Sequence, residues 1–156
     1  MGQSHRIFLS AATNEYGTFR NELANALRGQ YVEVEAVWSL LSQGNIEGAK
    51  AKLQECFELR PGLKSEVANA QVLECVALLA LRTGHPENSL TYLAAAAKLR
   101  EAAGNPRASL YAAELKKWEA EARQSLSDDD SAFAFKRGKD ESPEKIIRSA
   151  EGMVKA

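Results

Sequence analysis

Four breaks set at near-equal intervals constrain this chain more than any other feature. Gly44-Asn45, Arg60-Pro61-Gly62, Gly84-His85-Pro86 and Gly104-Asn105-Pro106 place glycines 18 to 22 residues apart. Glycine closes a helix by taking the left-handed backbone conformation without a steric penalty. Asparagine, and less well histidine, serves as the next N-cap, and proline fits the first helical position, where its missing N–H has no partner to lose. Two of the breaks, Gly84-His85-Pro86 and Gly104-Asn105-Pro106, carry all three features in order. Helices joined by so few residues must lie antiparallel and touch, so the chain folds either as a closed bundle or as an open stack of helix pairs.

The segments between the breaks carry helical periodicity. Residues 32–43 place Val34, Val37, Trp38 and Leu41 on one face, and residues 46–59 do the same with Ile46, Ala49, Leu53, Cys56 and Phe57. Residues 66–82 are apolar around most of the circumference, which marks a central helix covered on more than one side. Glu74 therefore sits on a mostly buried helix, where an ion pair or a polar groove position is the expected role. Residues 86–102 turn Leu90, Leu93, Ala94, Ala97 and Leu99 inward, and the run Ala94-Ala95-Ala96-Ala97 lets a neighbour pack closely. A further helix covers 107–125, an acidic turn follows at Asp128-Asp129-Asp130, and a last short helix starts near Pro143. At the other end, residues 6–10 with Ile7-Phe8-Leu9 read as a short strand, and residues 16–27 as a helix.

Composition narrows the function. A net charge of −1 over 156 residues implies neither a nucleic-acid footprint nor a basic membrane surface. The longest apolar run, 72–81, is interrupted by Glu74 and is too short to span a bilayer, and no secretory signal is read at the N-terminus. Cys56 and Cys75 both fall in helical patterns and are expected to be reduced, as in a cytoplasmic protein. His5 and His85 have no cysteine or aspartate at ligand spacing, and three consecutive aspartates do not converge on one ion. Without a glycine-rich phosphate loop, a serine elbow or a paired-cysteine motif, the expectation is a protein with no catalytic residue, no cofactor and no metal.

Particular residues also carry family resemblances. Gly44, Ala49, Leu53 and Pro61 resemble the turn glycine, small residue, large apolar residue and terminal proline of one tetratricopeptide repeat, and Gly84, Ser89, Leu93 and Ala96 fit a second. The order from 99–104 (Leu-Arg-Glu-Ala-Ala-Gly), through a long helix and an aromatic segment (Phe133, Phe135, Gly138), to a last helix is similar to the closing part of the sensor domains of bacterial transcriptional regulators and signalling ATPases. Arg6 to Ser10, followed by Glu15, Tyr16, Phe19, Arg20 and Leu23, resembles the opening strand and helix of TIR-like domains, whose active members cleave NAD. No room remains for the rest of such a domain, so that segment implies an inert remnant. Together the resemblances imply a mainly α fold, with antiparallel hairpins stacked as a short tetratricopeptide-like solenoid behind one short strand. The implied divisions are a TIR-like segment at 1–30, repeats at 31–127, and an acidic turn with a capping helix at 128–156. The implied function is non-catalytic protein–protein interaction in bacterial signalling, with a peptide or helix held in a groove. The family's groove positions fall on Val34, Trp38, Leu41, Gln71, Glu74, Leu78 and Arg82, and self-association is the other expected contact. The alternative is an inert or regulatory remnant of a TIR-like signalling protein.

Overall fold

A computed structural model describes residues 36–59, 66–104 and 109–156. The expected strand and helix of 1–30, and Val34, lie outside these residues. The described chain is mainly helical and holds no strand. Residues 36–42 form α1, followed by α2 (Ile46–Leu59), α3 (Glu66–Arg82), α4 (Pro86–Ala102), α5 (Ser109–Gln124), α6 (Asp128–Asp140) and α7 (Pro143–Lys155).

Arg60-Pro61-Gly62 and Asn105-Pro106 lie outside the described residues, and the glycines of the other breaks work as expected. Gly44, Gly84 and Gly104 take positive φ angles of 74°, 81° and 60°. After α1, the amide of Asn45 donates to the Leu40 carbonyl at 2.8 Å, and after α3 the amide of His85 donates to that of Ala80 at 2.8 Å. Each is the six-to-one bond that turns a chain out of a helix and satisfies one of its orphan carbonyls. Asn45 then caps α2, its side-chain oxygen accepting from the Gly48 amide at 2.9 Å. His85 makes no side-chain cap, and Pro86 alone opens α4.

Two helices form the centre. Leu73 to Ala80 of α3 and Ser89 to Ala96 of α4 are each eight consecutive buried residues, more than two full turns, so both helices are covered in every direction. They pack on each other as an antiparallel hairpin. α2, α5 and α7 add cover to α3, and α5, α6 and α7 add it to α4. α7 turns Ile146, Ile147, Ala150 and Val154 inward and lies across α2, α3 and α4, so the last helix reaches back over the middle of the fold. Tyr92 of α4 reaches Ser149 of α7 through a 3.0 Å hydroxyl–hydroxyl bond.

The segment expected to begin as an acidic turn is instead a helix. Ser127 accepts from the amide of Asp130 at 3.1 Å and donates to its carboxylate at 2.7 Å, so the three aspartates form the first turn of α6. Acidic side chains there meet the positive end of the helix dipole. Ser142 caps α7 in the same way, with Pro143 in the first turn.

α6 runs against α4 at very close range. Thr91 donates to the Ala134 carbonyl at 3.0 Å, and Lys98 donates to the Lys139 carbonyl at 2.7 Å. The two pairs advance together, so the helices run in the same sense. Between them lies Gly138. A Cβ at this position would fall well inside van der Waals distance of the Thr91 carbonyl oxygen and 2.8 Å from the Ala94 side chain. Glycine inside a helix costs about 1 kcal/mol relative to alanine, so its use here reflects the closeness of α4. Gly138→Ala is therefore expected to destabilise by ~3 kcal/mol, on the order of 10 °C in melting temperature. Gly152→Ala, in a helical position with nothing within 4 Å, is expected to raise stability instead. Thermal melts of the two variants check the opposite signs.

Candidate functional site

The described residues that sequence reasoning assigned to a partner groove lie mainly in the interior. Leu41 and Leu78 belong to the core cluster and offer a partner no surface. Trp38 is half-buried and meets Trp118 of α5 edge to face, with ring centroids 4.8 Å apart. Trp38 thus links α1 to α5. The expected groove position at 38 engages a tryptophan of the protein's own. Gln71 is half-buried. Arg82 lies at the surface, where it pairs with Glu121 of α5 at 2.8 Å.

Glu74 is the most constrained of these residues. Its carboxylate accepts from Nε and a terminal nitrogen of Arg100 at 2.6 and 3.0 Å, across the α3–α4 hairpin. The side chains are 5% and 12% exposed, so both charges are largely removed from water. Two parallel N–H···O bonds fix the planes of both groups and give each carboxylate oxygen a partner. Breaking such a pair leaves one charge uncompensated. Glu74→Ala is expected to cost ~3 kcal/mol, while Glu74→Leu combined with Arg100→Leu recovers most of it. Denaturant unfolding of the single and double variants measures the difference.

Cys75 is a core thiol, and burial pushes its pKa above the usual thiol range. Cys56 and Glu74 nearby push in the same direction, and the Trp38 indole N–H acts against them. Cys56 is half-buried. Because the thiolate is the reactive species, a thiol reagent at about pH 8 is expected to modify Cys56 first and Cys75 only on unfolding. Mass spectrometry of the timed reaction reads the order. No group of three or more His, Cys, Asp or Glu among the described residues is arranged to hold a metal ion.

The surface feature that sequence reasoning missed lies on α6. Its inner side, Ala134 and Gly138, faces α4. Turned away from it are Ala132, Phe133, Lys136 and Asp140, all exposed. Phe133 is 72% exposed, the one large hydrophobic side chain left so open among the described residues. Phe135, two residues on, is treated differently: it is half-buried, with the Arg123 guanidinium 5.1 Å and the Lys139 ammonium 5.7 Å from its ring centre. A reading of 128–140 as one helix would have separated the two rings, since residues two apart project about 200° from one another around a helix.

No family model matches the chain, and neither a curated protein nor a solved structure matches it. No helix among the described residues is long and apolar enough to cross a membrane.

Proposed function

We propose that this chain is a non-catalytic protein–protein interaction module built from tetratricopeptide-like hairpins, serving a signalling or regulatory assembly. Its contact surface is the outer face of α6 rather than a groove between first helices. Phe133 carries this reading. An aromatic ring held in water by a rigid helix brings a large apolar area to a contact at low entropic cost. Its setting is also polar, with exposed Lys136 and half-buried Arg137 one turn ahead and exposed Asp129 and Asp130 one turn behind. That arrangement matches the apolar centre and charged rim of a protein contact. The solenoid-like part of the reading is supported by the positive-φ glycine breaks and by the α3–α4 hairpin.

A photoreactive phenylalanine analogue placed at position 133 in cells that make the protein tests this. Crosslinks to protein are expected from 133 and not from position 117, an exposed site on α5. Equal yields from the two positions would remove α6 as the contact surface.

A further inference from the structure

The charges around Phe133 are arranged antisymmetrically. Phe133 stands one residue before the midpoint of α6. Asp129 and Asp130 lie four and three residues before it, and Lys136 and Arg137 lie three and four residues after it. Residues three and four apart are neighbours on a helix surface, so the aromatic ring is flanked by an acidic turn on one side and a basic turn on the other. A helix with this order is complementary to itself when reversed. Two copies crossing antiparallel at Phe133 bring Asp130 near Arg137 on one side of the contact and Asp129 near Lys136 on the other, and the second half of the contact repeats the first.

We propose that the occupant of the α6 face is a second copy of this chain, joined about a two-fold axis at Phe133. The proposal rests on the reading of α6 as the contact surface and names the partner for it. An isologous contact needs one patch that complements itself, and closed two-fold dimers are the commonest assembly that meets this need. Among the described residues, none covers the Phe133 ring. The face points away from α4, and Arg123 and Lys139 engage Phe135 rather than Phe133. Ala132 beside Phe133 adds little bulk to hold a facing helix away. Asp130 accepts from the Ser127 hydroxyl at 2.7 Å, Lys136 lies 4.0 Å from Asp140, and half-buried Arg137 lies 3.5 Å from Glu141. Such pairs contribute little in water and can exchange for pairs across the axis. A lone apolar ring on a surface is ordinary; acids and bases at equal and opposite offsets from it are what single out a copy of the same helix.

One helix face buries less than the about 1,600 Å² of a standard interface, so half-association is expected at concentrations on the order of 100 µM. Sedimentation equilibrium over a range around that value is expected to show the mass rising from 17.0 kDa towards twice that figure. Phe133→Ala is expected to weaken association tenfold or more. Asp129→Lys with Asp130→Lys, and separately Lys136→Glu with Arg137→Glu, each make the face uniform in charge, so each variant alone is expected to stay monomeric. An equimolar mixture of the two is expected to regain the association of the original chain, because opposite faces then meet. Circular dichroism confirms that each variant keeps its helices, and Phe133→Ala serves if a charge variant does not. A constant mass of 17.0 kDa for the original chain, or a mixture of folded variants that stays monomeric, would overturn the dimer. Crosslinks from position 133 to a different protein, with the chain itself monomeric, would remove the dimer and leave the interaction reading standing. Absence of both would remove both.

Discussion

Everything else in this fold depends on two helices that have no outer face. α3 and α4 are each buried through more than two consecutive turns. An amphipathic helix needs one neighbour, but a helix buried all round needs several, and each must come close enough to exclude water. The two helices solve this in different ways. α3 fills its surroundings with Leu73, Val76 and Leu79. α4 instead presents Ser89, Thr91, Ala94, Ala95 and Ala96, which carry little apolar area and allow close backbone approach. The consequence is seen in α6, where Ala134 and Gly138 replace the large side chains a core helix usually brings. Dispersion between closely packed backbones and side chains, with two hydrogen bonds onto α6 carbonyls, holds this contact in place of bulk hydrophobic burial.

Smooth helices create a second problem, which is register. A surface of alanines and leucines accepts a neighbour shifted by one turn at little cost. The Glu74–Arg100 pair removes that freedom, because a one-turn slip would leave both charges buried and unpaired. Its value lies in selecting one alignment of the α3–α4 hairpin rather than in net stability, since a buried ion pair recovers little beyond its own desolvation. Exposed pairs such as Lys155–Glu151 do no comparable job, for water serves either partner as well. Thr91 acts on the α4–α6 alignment in a related way, its buried hydroxyl requiring the one carbonyl within reach.

What was legible in the sequence was local. A glycine before a cap or a proline ends a helix through its own φ angle, so the ends of α1, α3 and α4 and the starts of α2 and α4 follow from the residues at the breaks. Of the two roles expected for Glu74, an ion pair or a polar groove position, the ion pair is the one seen, because an unpaired charge on a buried helix is not tolerated. Contacts distant in sequence were not legible. Trp38 faces Trp118, 80 positions away, and no periodicity announces that meeting. The groove positions were carried from a repeat pattern that assumes a free inner face, whereas here α5 brings Trp118 onto α1. α6 was missed for a similar reason. Asp128-Asp129-Asp130 resembles a solvated turn, Phe133 and Phe135 alternate like a strand, and Gly138 looks like a break. All three signals reverse once α4 is present: the aspartates sit at a helix N-terminus, and the glycine is there because a neighbouring backbone leaves no space for a Cβ.

That reversal also separates the two phenylalanines. Phe135 projects towards α5, where Arg123 and Lys139 cover its ring and the fold uses it. Phe133 lies on the far side of the same helix, where most of its ring stays in water. The ring is nearly as exposed there as in the unfolded chain, so it contributes little to folding. Its apolar area is left for a contact that covers it. The acids before it and the bases after it are arranged so that the same helix, turned end for end, supplies the cover.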